Sequence, residues 1–183
     1  KVDPSIIGIA CGSGGFGSRF GDGDFAVIAD ASDAVDYLSI HHYENASKWA
    51  EGPGLADAYF NKLGDAIAKS KNPSFKLYMS EWNLRTSIDW QTGLYAGGIL
   101  NTMERNPYVT MACPALWLRH KDAPNWDNAF INFDQSSWFP APNYVVMKLY
   151  RDHGAPNLRA VAGDAAGLNA GATKSADGRR VIL

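Results

Sequence analysis

The sequence predicts an α/β fold built on a parallel sheet, and two observations predict it. Short apolar segments rich in β-branched residues alternate with longer segments of helical period, strand before helix, along most of the chain. The strand segments are also near-continuously apolar, as strands are when helices cover the sheet. Ile6 to Cys11 is the first, a short run that stops at Gly12. A weaker helix is expected between Asp24 and Ala34. Asp36 to Tyr43, read Asp-Tyr-Leu-Ser-Ile-His-His-Tyr, is the second strand. Leu55, Tyr59, Phe60, Leu63 and Ile67 recur at three- and four-residue spacings and predict an amphipathic helix over 55–71. Phe75 to Trp82 is the third strand. A helix over 89–105 comes next, with Leu94, Tyr95, Ile99, Leu100 and Met103 inward and Pro107 just past its end. Val109 to Trp117 is the fourth strand, and Asn143 to Arg151 a helix.

Four such units are too few to close an eight-stranded barrel, which takes about 250 residues. The chain is therefore either a small open α/β sheet or half of a barrel. After Pro156 the character changes. Residues 160–176 are rich in Ala and Gly without a helical period, and Asp177-Gly178 is a hairpin-turn signal before an apolar strand at the end of the chain. A β-domain is expected to begin here and to continue past Leu183.

The chain has 183 residues, 46% hydrophobic and 20% charged, an ordinary globular composition. A net charge of −2 offers no basic field for phosphate backbones, so no nucleic-acid partner is expected. No apolar run approaches the roughly 20 residues that span a bilayer, and no membrane partner is expected. The chain opens on Lys1-Val2-Asp3-Pro4 without Met, as a processed or truncated product would, which leaves secreted, periplasmic and cytoplasmic locations open. Cys11 and Cys113 lie in apolar, strand-like segments and are expected to be buried free thiols. Trp49, Trp126 and Trp138 stand in polar or Gly/Pro-rich context. Flat rings beside polar groups suit the faces of sugars; packing under long loops accounts for each equally well.

Glu81 is the first candidate for chemistry. Of four glutamates, Glu44, Glu51 and Glu104 fall in loop or helix context, whereas Glu81 ends an apolar strand. A partly desolvated carboxylate is costly unless its neighbours bond to it, and α/β enzymes place reactive groups at the C-terminal ends of parallel strands. A structural Glu paired to Arg85 or Arg119 fits the same position. On the second strand, alternation puts Ser39, His41 and Tyr43 on one face and Leu38, Ile40 and His42 on the other. An imidazole and a phenol near a carboxylate would hold it ionised and aimed; a core His and an interface Tyr are the plainer alternative. No metal is expected, because His41 and His42 point to opposite faces and no Cys or carboxylate has ligand-like spacing. Gly12-Ser13-Gly14-Gly15-Phe16-Gly17 fits the G-x-G-x-x-G pattern and has Asp33 about 20 residues on. Gly21 and Gly23 argue against a helix opening there, so a flexible loop and no cofactor are expected, with dinucleotide binding as the alternative.

At these residues the chain resembles glycoside hydrolase family 51, whose best-known members are α-L-arabinofuranosidases. Asp3-Pro4-Ser5 through Cys11-Gly12-Ser13 resembles the family's fifth barrel strand. Val35 to Tyr43 resembles the sixth, with its His and Tyr falling on His41 and Tyr43. Ser80-Glu81-Trp82-Asn83 resembles the seventh-strand motif, whose Glu is the nucleophile. Glu104 to Ala112 is similar to the approach to strand eight. Trp126-Asp127-Asn128 through Phe133-Asp134, Pro142-Asn143-Tyr144 and Lys148-Leu149-Tyr150 resemble the family's segments beyond that strand. The resemblance implies residues 1–156 as the C-terminal half of a (β/α)8 TIM barrel and 157–183 as linker and first strand of a β-sandwich. It implies a retaining double displacement with Glu81 as nucleophile. His41, Tyr43, Trp82, Asn83 and Trp117 are then the substrate-binding and orienting set, and an arabinose-containing oligo- or polysaccharide the partner.

Two departures stand out. The family's acid/base Glu lies in an Asn-Glu pair on strand four, and this chain has no Asn-Glu dipeptide. An N-terminal half-barrel, in the same protein or a separate chain, is expected to carry it. Ala115-Leu116-Trp117 also stands where many members have a substrate-contacting Gln. A half-barrel exposes open edges and an apolar interior, so association or oligomerisation is expected. A β-xylosidase or endo-β-glucanase on the same scaffold, and a carbohydrate-binding fragment without turnover, are the competing functions.

Overall fold

The computed structural model describes residues 3, 5–15, 21–85, 88–159, 161 and 167–183. Four parallel strands form its main sheet in sequence order: β1 (Ile9–Cys11), β2 (Tyr37–Glu44), β3 (Lys76–Leu84) and β4 (Val109–Pro114). Helices α1 (Gly21–Ala31), α2 (Gly52–Ala68) and α3 (Trp90–Arg105) connect them, and α4 (Pro142–His153) packs on α3. The expected parallel α/β order is present.

The core lies between the sheet and the helices. Leu38 and Ile40 of β2 and Leu77, Met79 and Trp82 of β3 meet Phe60, Leu63 and Ile67 of α2 and Tyr95 and Ile99 of α3. Local chemistry sets the helix ends. Pro53 and Pro142 sit in first turns, where the missing N–H loses nothing. Asp89 caps α3 by accepting from the Gln91 amide at 3.0 Å. Two of the expected inward residues, Leu55 and Leu94, are exposed instead. The buried stripes run through Ala56, Tyr59, Leu63 and Ile67, and through Tyr95, Ile99 and Met103, leaving both leucines on the flanks.

α1 starts and ends about three residues earlier than expected, and its first turn contains the glycines 21 and 23 that argued for loop. Asp22 and Asp24 in that turn complement the helix dipole, and Asp24 ties the turn to the end of β1. The expected loop over Phe16–Phe20 lies outside the described residues.

The two thiols are exposed, against expectation. Cys11 and Cys113 sit on the outer strands β1 and β4, and Cys113 lies 3.2 Å from the Tyr78 hydroxyl on the sheet face that the helices leave uncovered.

Two small sheets come after β4. The first joins β5 (Leu118–His120), β6 (Ile131–Phe133) and β7 (Trp138–Pro140), with β5 and β6 parallel and β6 and β7 antiparallel. The second is antiparallel and joins β8 (Asn157–Arg159), β9 (Ala172–Lys174) and β10 (Val181–Ile182). The turn between β9 and β10 carries Gly178 at φ +73°, a conformation in which a side chain would be strained.

Gly12 marks where β1 closes on β2. Its amide donates to Ser39 O at 2.8 Å. A Cβ there would run into that carbonyl and lie 2.7 Å from Asp24 Oδ1. Gly12→Ala is expected to lower stability by about 1–3 kcal/mol through overpacking, measured as a shift of the denaturant midpoint; an unchanged midpoint would show that the strand ends can part without loss.

Candidate active site at the ends of the parallel strands

On β2, Ser39, His41 and Tyr43 are half-buried on the uncovered face while Leu38, Ile40, His42 and Glu44 are buried, as alternation predicts. The register to β3 then shifts. Ile40 is opposite Met79, but His41 is opposite Glu81, so Ser80 is the extra residue of a β-bulge. Its hydroxyl stays on the uncovered face, 2.6 Å from Ser39 Oγ.

The bulge brings Glu81 to the same face as His41 and Tyr43. Tyr43 Oη donates to Glu81 Oε2 at 2.9 Å, and His41 Nδ1 lies 3.4 Å from the same oxygen. The side chains of His41 and Glu81 are 36% and 42% exposed. Glu81 Oε1 has no hydrogen bond among the described residues. Burial, and then the bond to the Glu81 carboxylate, push the Tyr43 phenol well above its ordinary range. It stays a donor at any working pH.

The structural alternative for Glu81 does not form: among the described residues no ion pair joins it to Arg85 or Arg119. Arg119 instead donates to three backbone carbonyls, those of Asn125 (3.2 Å), Lys121 (3.1 Å) and Ala123. Both arginines, with Tyr43, Asn125, Trp126 and Asp127, line a cleft of about 620 Å³ beside the carboxylate. Trp126 meets Tyr43 edge-on, ring centroids 5.3 Å apart at 81°. Composition and context alone do not single Trp126 out from Trp49 and Trp138, although Trp126-Asp127-Asn128 is among the segments that resemble the family. Trp49 packs on Trp90, and Trp138 stands exposed on β7.

Two expected site residues, Asn83 and Trp82, are fully buried, and Trp117 makes its ring contact away from Glu81. Asn83 is fully buried and bonds only to the scaffold. Its Nδ2 donates to Ala115 O (2.9 Å) and Asn128 O (2.6 Å), and its Oδ1 accepts from the Leu84 amide (2.9 Å) and Asn143 Nδ2 (3.3 Å). Both amide protons are used, so none is left for a sugar. Trp82 follows the bulge onto the helix side and packs edge-on against Phe130 in the core. Trp117, 50% exposed just beyond β4, packs against the same phenylalanine, ring centroids 5.4 Å apart.

Glu44, expected in a loop, is the last residue of β2 and is buried. Its Oε1 accepts from the Asn45 amide at 2.8 Å, and its Oε2 lies 3.5 Å from His42 Nε2. The glycine-rich turn after β1 is occupied from within. Asp24 accepts from the Ser13 amide (2.7 Å), Ser13 Oγ (2.6 Å) and Tyr59 Oη (2.5 Å). A phosphate at that amide would meet a buried carboxylate, which disfavours the dinucleotide alternative. Among the described residues no three His, Cys, Asp or Glu side chains are grouped as a metal site requires, and no helix is long and apolar enough to cross a membrane.

No protein-family model matches the chain, and no curated protein matches it in sequence. Solved structures do. An α-L-arabinofuranosidase from Thermotoga maritima, in complex with arabinose, superposes with a TM-score of 0.77 at 18% identity, over 98% of this chain and 42% of that one. The family 51 enzyme from Thermotoga petrophila gives 0.75 at 18% identity, over 98% and 43%. The fold is family 51-like. A family 39 β-xylosidase from Caulobacter crescentus superposes less closely, at 0.60 and 17% identity over 96% and 38%. The likeness is one of fold, and the chain spans about two fifths of the length of these solved chains.

The His42–Glu44 pair sets a pH response of the scaffold. Burial holds the His42 imidazole down to about 4, with the Arg85 charge adding to the effect and Glu44 opposing it. Its native pKa lies below the unfolded value of about 6.5, so between these values the unfolded chain binds the proton more readily. Stability is expected to be full above about pH 6.5 and to fall as pH drops toward 4. Thermal melts across that range should show the loss, and His42→Gln should flatten part of it; an equal slope in both proteins would remove His42 as the cause.

Proposed function

We propose that this chain carries the nucleophile side of a retaining glycoside hydrolase site, with Glu81 as nucleophile and an α-L-arabinofuranosyl group as the sugar transferred. One observation carries the proposal. The Glu81 carboxylate stands half-exposed on the uncovered face of a parallel sheet, with Tyr43 donating to Oε2, His41 Nδ1 3.4 Å from the same oxygen, and Oε1 turned to no partner among the described residues. A nucleophile needs that asymmetry: one oxygen held, the other open to attack.

In the first step Glu81 attacks the anomeric carbon while the bond to the leaving oxygen breaks and an acid protonates that oxygen. In the second, water attacks the glycosyl ester, the same group takes its proton, and the sugar leaves with retained configuration. Tyr43 and His41 hold the carboxylate in place throughout. The acid/base is assigned to an N-terminal half-barrel, in the same protein or a separate chain, about 5 Å from Glu81. Residues 1–156 are then the second half of the barrel and 157–183 the entry to a β-sandwich. The uncovered sheet face, with Ile9, Met111 and both thiols exposed, supports association with that partner half. The arabinofuranosyl specificity draws on the likeness to two Thermotoga arabinofuranosidases; a β-xylosidase is the second reading, supported by the lower-scoring family 39 structure.

The test uses the complete protein. Glu81→Gln keeps volume and removes the charge, and turnover of an aryl α-L-arabinofuranoside is expected to fall by about three orders of magnitude or more with little change in thermal stability. Azide should restore part of the turnover of Glu81→Gly, giving a product of inverted configuration. A slow fluoro-sugar should label the peptide containing Glu81. Near-normal turnover of Glu81→Gln, or a label on another residue, would end the assignment.

A further inference from the structure

We propose that Trp126 is a positioning residue for this site: it fixes the Tyr43 phenol where it donates to Glu81, and Arg119 in turn fixes Trp126. The inference rests on Glu81 being the nucleophile.

Three observations carry it. Tyr43 lies half-buried on the uncovered face of β2. Its edge-on neighbour is Trp126, at 5.3 Å and 81°. An indole set edge-on to a phenol restricts the swing that would carry the hydroxyl off Glu81 Oε2.

The second observation is the backbone of Trp126, at φ +62°. Bulky residues rarely occupy that region, and such strain persists only where the surroundings impose it. Burial does not explain it, because Trp126 is 51% exposed.

The third is what imposes it. Trp126 stands midway along the loop between β5 and β6, and Arg119 of β5 braces the part of the loop before it with one planar guanidinium, bonding the carbonyls of Lys121, Ala123 and Asn125. The Ala123 amide also donates to His120 O at 2.9 Å. Three carbonyls held by a rigid fork leave the residue after Asn125 little choice of direction. The strained turn then delivers the indole to Tyr43 on one side and to the cleft on the other.

A double-mutant cycle in the complete protein tests this with an aryl α-L-arabinofuranoside. Tyr43→Phe should lower kcat by about a hundredfold, as loss of a donor at the reacting charge does. Trp126→Ala should lower kcat by about tenfold with KM nearly unchanged, because it loosens that donor without removing it. In the Tyr43→Phe background, Trp126→Ala should change kcat by less than about twofold, the coupling expected of residues acting through one contact. Trp126→Phe should recover most of the loss. Arg119→Lys keeps the charge but not the fork and should reproduce Trp126→Ala; it carries the test should the alanine variant fail to fold. Losses that multiply, or a Trp126→Ala defect confined to KM, would overturn the proposal while leaving Glu81 in place. Intact turnover of Glu81→Gln would instead remove the nucleophile assignment, and this inference with it.

Discussion

One extra residue in β3 decides where the chemistry can be. Along β3, Leu77 and Met79 face the helices and Tyr78 faces away. Strict alternation would send residue 81 to the helix side with Leu77 and Met79, and a carboxylate there would be buried among Phe60, Leu63 and Ile99. The bulge at Ser80 consumes one position and turns Glu81 to the uncovered face, opposite His41. The same shift turns Trp82 inward, where it fills the core against Phe130. The change of face exchanges a large apolar ring for a carboxylate at one point of the sheet. Both gain: the ring is buried, and the acid is kept at the rim.

The layer beyond the sheet is tied to β3 just past the bulge. Asn83 joins its own strand to three other segments, bonding the backbone after β4, the segment before β6 and the first turn of α4. Asn128 answers by donating to Leu84 O at 2.6 Å. These buried amides set the position of the β5–β7 sheet relative to the strand that carries Glu81. That sheet carries Arg119, and Arg119 shapes the loop segment that leads into Trp126. The residue next but one to the carboxylate therefore builds the wall of the site without touching the cleft.

Periodicity makes the main sheet and its helices legible. Leu38 and Ile40, Tyr59 through Ile67, and Tyr95 through Met103 carry their spacing in the sequence, and strands and helices stand there with small shifts at their ends. The facing of His41 and Tyr43 is legible for the same reason. Strands β5 to β7 are not. Each has three residues, too few for a period to show, and Arg119 and Asn132 interrupt their apolar character. Asn83 is expected in the site because Ser80-Glu81-Trp82-Asn83 reads as one motif, while the bulge sends its members to different faces. No spacing marks a bulge, and none marks the positive φ of Trp126. Glu44 escapes because a glutamate before Asn45-Ala46-Ser47 looks like loop, although β2 runs on to include it.

Three carboxylates sit near the strand ends, and their surroundings separate their roles. Asp24 is fully buried and accepts three hydrogen bonds, from Ser13 twice and from Tyr59. Its oxygens are committed, and attack on a substrate would break bonds that hold α1 to β1. Glu44 is buried as well, engaged by the Asn45 amide and beside a His42 whose proton is held off by burial. A sugar carbon could not reach it without parting β2 from α2, because Gly52 and Tyr95 close over it. Glu81 differs on both counts. It is half-exposed, and its two neighbours share one oxygen. The Tyr43 hydroxyl holds Oε2, while Oε1 keeps its lone pairs for a reacting carbon. Accessibility alone would also admit exposed acids such as Asp134, but the serine hydroxyls and amides of its own turn hold that carboxyl at about 2, where it is a poor nucleophile. Asp134 also has one oxygen held and the other open, but among these acids Glu81 combines that arrangement with a place at the end of a strand of the main sheet.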